Sequence, residues 1–393
     1  MELFAKTEGE HIYDIARDKG IYPYFHALTS GQNTVVEMEG KRTIMLGSNN
    51  YLGLTSHKEV IEAGVEGLKK YGSGCSGSRF LNGTLDIHQK LEKELAEFLH
   101  KEAVMTFSTG FQSNLGIISA IVGRSDYILC DKENHASIYD GCRLSYGKMV
   151  RYEHNDMQDL ERKLQTIPEN SGILIVTDGV FSMSGEICDL PTIVKLAKKY
   201  NARVMVDDAH GLGVLGKHGR GTAEYFGLED EVDIYMGTFS KSLASLGGYM
   251  ASTKRVVDYV KHCSRPYIFS ASITPASVQS ARKSLEILKR EPERVKALNN
   301  IGDYMRKKLD EAGISYIKST TPIVSIYTYE DEKAFLACKL LLERGVYVNP
   351  VITPATPVGK ALIRTSYSAT HKPEEIDEAV EKIKEVFAIL DIK

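Results

Sequence analysis

Arg203-Val204-Met205-Val206-Asp207-Asp208-Ala209-His210-Gly211 is an apolar run that closes on two carboxylates and, three residues after Asp207, a histidine. The run reads as a strand of a buried sheet. A carboxylate at the end of such a strand costs free energy unless it meets a cation or hydrogen-bond donors. The carboxyl end of this strand therefore asks for a charged partner.

Moving toward the C-terminus, the next apolar run, Val232–Met236, leads into Gly237-Thr238-Phe239-Ser240-Lys241-Ser242-Leu243-Ala244-Ser245-Leu246-Gly247-Gly248. Lys241 sits there among small residues and hydroxyls, with no acidic neighbour in the chain. Alone, it fits either a solvated surface charge or a desolvated amine. Desolvation lowers an amine's pKa and readies it as a nucleophile toward a carbonyl.

Moving toward the N-terminus, the same pattern repeats. Ala103–Phe107, Tyr127–Cys130, Met149–Tyr152 and Ile173–Thr177 are further apolar runs, with Ile234–Met236 the last of the series. Helical segments are expected between them, near 111–123, 136–146, 156–166 and 190–200. Strands alternating with helices predict crossover connections, and so an α/β fold with a large, mostly parallel sheet and helices on both faces. Ligands of such sheets bind beyond the carboxyl ends of the strands.

Residues 1–46 read as an N-terminal arm, with a short polar helix and a hairpin across Glu39-Gly40-Lys41. Residues 47–280 form the large domain. Helices 276–289, 295–312, 331–343 and 373–390 with strands at 322–328 and 345–348 make residues 281–393 a smaller C-terminal α+β domain. The net charge of −3 gives no reason to expect nucleic acid or an anionic membrane as partner. Six scattered cysteines without a C-x-x-C pair suggest reduced thiols and a cytoplasmic enzyme with no metal site. The first residues lack an apolar secretory segment, and no run is long enough to span a bilayer.

The strand ends supply the chemistry. Ser108-Thr109-Gly110-Phe111-Gln112 opens a helix, where free N–H groups suit a phosphate. His135 follows the next strand, although a histidine at a helix start is often only a surface residue. Asp178-Gly179-Val180-Phe181-Ser182-Met183-Ser184-Gly185 follows the strand at 173–177. An amine, a carboxylate with a histidine, a hydroxyl and a phosphate cup together match pyridoxal 5′-phosphate (PLP). G-x-S-x-G, H-E-x-x-H and a dinucleotide glycine fingerprint are absent.

On DKENHASIYD (131–140), DGVFSMSG (178–185), VDDAHG (206–211) and GTFSK (237–241), the chain resembles the α-oxoamine synthases. These are fold-type I, aspartate aminotransferase-like PLP enzymes, and the likeness runs from Ser48 to Arg364. The resemblance implies that Lys241 binds the cofactor aldehyde and later takes the amino acid's Cα proton. It implies Asp207 on the ring nitrogen, His210 and Ser182 at the 3′-oxygen, and His135 stacked on the ring and near the substrate carboxylate. Gly110, Phe111 and Thr238 match cofactor positions, Thr238 on the phosphate. Ser270 matches a phosphate contact from the other subunit, which implies a homodimer with its active site at the interface. Asn50 and Arg364 match substrate positions, Arg364 on the carboxylate.

Within that family, GSRFLNGTLDIH (77–88), GTFSKS (237–242) and YVNP (347–350) resemble the branch that condenses L-serine with a long-chain acyl-CoA. The rival branch uses glycine and acetyl-CoA on the same cofactor residues. Ala355, where biotin-pathway synthases tend to carry a threonine, and residues 79–84 weigh against 8-amino-7-oxononanoate synthesis. Ser184-Gly185-Glu186 replaces an acidic-Gly-Asp sequence frequent in relatives. Because the serine-condensing branch makes a lipid, the resemblance leaves peripheral contact with a membrane surface open.

Overall fold

In the computed structural model, which describes residues 2–392, the apolar runs of the middle of the chain become one sheet. The N-terminal segment holds helix α1 (Ile12–Asp18) and the hairpin β1 (Val35–Met38) and β2 (Lys41–Met45). Helices α2 (Lys58–Tyr71) and α3 (Asp86–Phe98) follow. Then come β3 (Ala103–Phe107), α4 (Gly110–Ile121), β4 (Tyr127–Asp131), α5 (Ala136–Leu144), β5 (Lys148–Tyr152) and α6 (Met157–Leu164). The alternation continues through β6 (Ile173–Asp178), α7 (Leu190–Lys199), β7 (Arg203–Asp207), α8 (Thr222–Phe226) and β8 (Ile234–Thr238).

The seven-stranded sheet has the order β3-β9-β8-β7-β6-β4-β5, where β9 is Gly248–Ser252. β4 to β8 pair in parallel, while β9 runs antiparallel to both β3 and β8. Sequence patterning missed β9. Its Gly-Tyr-Met-Ala-Ser run has no β-branched residue and follows directly on the glycines of the lysine loop.

Both faces of the sheet are covered, which is why its strands are continuously apolar rather than alternating. Val104, Leu129, Ile175, Val204 and Tyr235 point to one face, against α2, α3, α6 and α7. Met105, Ile128, Leu174, Met205 and Ile234 point to the other, against α4, α5 and α9 (Lys254–Cys263). A short α10 (Arg265–Ile268) and the long α11 (Pro275–Arg290) follow, and α11 packs along α2.

The last quarter builds a second core. It comprises α12 (Glu293–Glu311), β10 (Ile323–Tyr329), α13 (Asp331–Glu343), β11 (Val346–Tyr347), β12 (Asn349–Val351), β13 (Ala361–Ser366) and α14 (Pro373–Ile389). β13 pairs antiparallel with both β10 and β12. Neither β12 nor β13 is legible as a strand: one holds a proline, and Arg364 interrupts the apolar run of the other. β11 pairs in parallel with β2, so Ile44 and Leu46 enter the same core as Val324, Ile363 and Ile383.

Candidate active site

The carboxyl ends of β4, β6, β7 and β8 and the start of α4 surround one cavity of about 270 Å³. Gly110, Phe111 and His135 line it, as do Asp207, His210, Thr238 and Lys241. Asp178, Ser137 and Ser240 join them. The volume lies near the lower end of small-ligand pockets.

Lys241 is aimed into this cavity by a tightly folded loop. Phe239 N–H donates to Gly247 O at 2.9 Å, and Ser245 N–H to Phe239 O at 2.9 Å. Gly247 has φ +135, and a Cβ there would meet the Phe239 ring at 2.7 Å. Ser242 Oγ donates to Leu212 O at 2.6 Å, pinning the loop to the turn after His210. Burial, opposed by the pull of Asp207, brings the Lys241 ammonium down to about 8. A substantial share of neutral amine therefore exists near physiological pH.

Asp207 and Asp178 end neighbouring strands in register. Both are buried, at 4% exposure each. Asp207 accepts from Asn114 Nδ2 at 2.7 Å and from Ala209 N–H at 2.9 Å. Asp178 Oδ2 accepts the His135 N–H at 3.0 Å. Burial, with Asp207 beside it, pushes the Asp178 carboxyl well above its ordinary range. A buried carboxylate such as Asp207 asks for a positive partner in the cavity, and a protonated ring nitrogen would supply it.

His135 caps α5, accepting the Ser137 N–H on Nδ1 at 3.3 Å, with Ser137 Oγ 2.7 Å from the same nitrogen. Since Nδ1 accepts, the neutral ring carries its proton on Nε2. Burial lowers the imidazole's pKa, and the Lys241 charge adds to this against the pull of Asp207. The Phe111 ring meets His135 edge-on at 6.3 Å.

The start of α4 is built for an anion. Thr109 Oγ1 accepts the Gln112 N–H at 3.1 Å and Thr109 O accepts that of Ser113, so the Gly110 and Phe111 N–H groups are left for a ligand. Thr238 and Ser240 hydroxyls lie 2.9 Å apart beside them. A Cβ on Gly110 would come within 2.8 Å of Thr238 Oγ1. Only glycine lets the helix start sit this close to β8. The residues present therefore fit PLP: an amine, an acidic partner for the ring nitrogen and a phosphate cradle.

Arg364 lies in the middle of β13, 6% exposed. Its Nε donates to Ser182 O at 2.5 Å, its Nη2 to Asn49 Oδ1 at 3.0 Å and its Nη1 to Ser366 Oγ at 3.4 Å. These are all neutral oxygens. Its charge is felt by both Lys241 and His210. A buried guanidinium held by neutral acceptors is poised for an incoming carboxylate. Ser182 meets this arginine through its carbonyl.

Four expected residues lie outside the cavity lining: Arg364 and Ser182, which meet each other, and Asn50 and Ser270. Asn50 spends its side chain on the local loop, donating to Gln32 O at 3.0 Å and accepting from Leu54 N–H at 3.1 Å. Its neighbour Asn49 is the one that touches Arg364. Ser270 Oγ accepts from Gln112 Nε2 at 3.0 Å, two residues beyond Gly110. Sequence reasoning passed over Asn114, although it stands one turn after Gly110 on the same face of α4. It also left out Asp178, which ends its strand as Asp207 does.

The sequence pattern of the family described as aminotransferase class I and II matches residues 41–383. The chain belongs to that family. It is 53% identical to a serine palmitoyltransferase of Sphingobacterium spiritivorum over 98% of this chain and 96% of that one. A serine palmitoyltransferase of Bacteroides thetaiotaomicron is 51% identical, with 95% of each chain covered. An 8-amino-7-oxononanoate synthase of Lysinibacillus sphaericus is 41% identical over 95% of this chain and 96% of that one. Among solved structures, a high-resolution serine palmitoyltransferase carrying PLP superposes with a TM-score of 0.97 at 36% identity, covering 100% of both chains. Aminotransferase class I and II architecture of fold type I, in its α-oxoamine synthase form, is therefore the fold of this chain, and PLP is its cofactor.

Proposed function

We propose that this enzyme is a serine palmitoyltransferase, joining L-serine to palmitoyl-CoA with release of CoA and CO2 to give 3-ketosphinganine. The observation that carries the reading is Arg364, a buried guanidinium with neutral partners beside the cavity that holds Lys241 and Asp207. It fits the carboxylate of an amino acid presented to that amine. The choice of serine and of a long acyl chain is supported by full-length relatives of that activity at 46–53% identity, against 41–44% for 8-amino-7-oxononanoate synthases.

Bound PLP supplies an aldehyde for amines and a protonated ring that withdraws electrons from the substrate Cα. Lys241 Nζ anchors the aldehyde and, once free, accepts the Cα proton of serine. Asp207 holds the ring nitrogen and keeps its proton in place. The Gly110 and Phe111 N–H groups, with Thr238 and Ser240, grip the phosphate. Arg364 grasps the serine carboxylate as a fork, and His135 Nε2–H orients it, so the Cα–H bond faces Lys241. His210 and Ser182 serve the ring 3′-oxygen, and Asn50 braces the loop that carries Asn49. In a homodimer, Ser270 would reach the phosphate of the partner's site. No helix among the described residues is long and apolar enough to cross a membrane. Contact with a membrane surface would be peripheral.

The test is CoA release by the purified protein with serine, glycine or alanine against acetyl-CoA or palmitoyl-CoA. Release with serine and palmitoyl-CoA alone is expected. Release with glycine and acetyl-CoA would overturn the substrate assignment while keeping the cofactor site.

A further inference from the structure

His210 faces the cavity with one ring nitrogen and turns the other inward, where Nδ1 lies 2.7 Å from the hydroxyl of Tyr51. Tyr51 is fully buried, at 0% exposure, and its hydroxyl is also 3.4 Å from Asn49 Oδ1. That amide oxygen already accepts from Arg364 Nη2 at 3.0 Å. The substrate-side arginine and the cofactor-side histidine are thus joined through Asn49 and Tyr51.

The protons in this chain can be counted. His210 is buried, and the Lys241 and Arg364 charges act on it as well, so its pKa falls well below the ordinary value and the ring carries one proton. Burial, tempered by Arg364, pushes the Tyr51 phenol up to about 12, so it keeps its own proton. Two arrangements remain. In the first, Tyr51 O–H donates to Nδ1 and the imidazole proton sits on Nε2. In the second, Nδ1–H donates to Tyr51, whose O–H must turn to Asn49. Both use the 2.7 Å contact, but the second also needs the 3.4 Å contact to an oxygen already engaged. O–H donors to oxygen sit at about 2.5–3.0 Å, which favours the first.

We infer that Tyr51 is a positioning residue that fixes His210 in the tautomer protonated on Nε2, so that a hydrogen-bond donor faces the cavity. The inference rests on the proposed function in one respect: the ligand oxygen that receives this bond is the 3′-oxygen of the PLP ring. A donor there stabilises the oxygen as an anion. With the opposite tautomer, Nε2 would be an acceptor and would compete for the ring's own proton. Tyr51 also packs against Val180, Val214, Leu298 and Ile323, and a merely structural tyrosine would serve that core alone.

Tyr51→Phe separates the two roles, since it keeps the ring and removes only the hydroxyl. The full-length protein, loaded with PLP and labelled with 15N-histidine, is compared by NMR with and without the substitution. The His210 signals are assigned by their loss in His210→Asn. Wild type is expected to show Nδ1 unprotonated and Nε2 protonated. In Tyr51→Phe the proton is expected to redistribute to Nδ1, and the pH midpoint of the bound cofactor's visible absorbance to rise by about one unit, the scale of a lost hydrogen bond to a charged group. Protonation of His210 on Nδ1 in wild type would overturn the inference, even if the variant failed to fold. So would an unchanged tautomer and midpoint in Tyr51→Phe. Failure to take up PLP would count against the proposed function instead, while the tautomer, measurable without cofactor, would still decide this point.

Discussion

Asp207 and Arg364 act on the Lys241 amine with opposite sign, and each is shaped by its neutral neighbours. Asp207 takes hydrogen bonds from Asn114 and Ala209 and is left facing the cavity. Asp207→Asn is expected to retain PLP but to lose turnover by about 100-fold or more, the range for a misplaced proton in general acid–base chemistry. Steady-state rates beside the cofactor's absorbance check this. Arg364→Lys keeps the charge but loses the fork. It should raise KM for serine by about tenfold or more, since a hydrogen bond to a charged group contributes about 1.5–3 kcal/mol. Lys241, lowered by burial to about 8, is nucleophilic only as the free amine. The rate of PLP uptake by cofactor-free protein should therefore climb as pH rises toward 8 and level off above it; a pH-independent rate would contradict the lowered pKa.

At the scale of elements, the site is made where strands stop and helices start. The approach of α4 to β8 is close enough that a Cβ on Gly110 would meet Thr238. Gly110→Ala should thus weaken PLP binding by about tenfold, read by titration of cofactor-free protein. The parallel strands and Asp207 were legible in the sequence, because an apolar run ending in a carboxylate has few other physical explanations, although Asp178 ends its strand in the same way and was passed over. β9 and β13 were not, because glycine and a buried arginine hide a strand that only its neighbours make favourable. Asn114 and Tyr51 were missed for a related reason: their partners, Asp207 and His210, are distant in sequence.

His154 illustrates the same limit. Its Nδ1 lies 2.9 Å from Asp131 Oδ1 and its Nε2 3.4 Å from Glu186 Oε2, joining the loop that carries His135 to the loop that carries Ser182. Burial opposes its charge, but the bonds to Asp131 and Glu186 prevail and raise its pKa to about 10. Its stabilising effect is fully present below the unfolded value of about 6.5 and is lost as pH rises through 10. Thermal melts of wild type should lose stability across that window, and His154→Gln should lose less of it.

The whole molecule is held by cores that ignore the order of the chain. Ile44 is fully buried with Val324 and Ile363, although it belongs to the N-terminal hairpin. Ile44→Ala should cost about 2–5 kcal/mol in denaturant unfolding, as for a core position and not a loose arm. That packing brings the strand with Arg364 alongside the loop 47–51 that holds Asn49 and Tyr51: Ser366 N–H donates to Leu46 O at 2.7 Å. Asn49 and Arg364, from the two ends of the chain, thereby meet each other and the Ser182 loop of the central domain.

The most direct test of this arrangement is to reduce the PLP-loaded protein with borohydride, digest it and locate the pyridoxyl group by mass spectrometry. The account predicts a single modified lysine, Lys241. Label on any other lysine, or a protein that releases all its PLP after reduction, would contradict it.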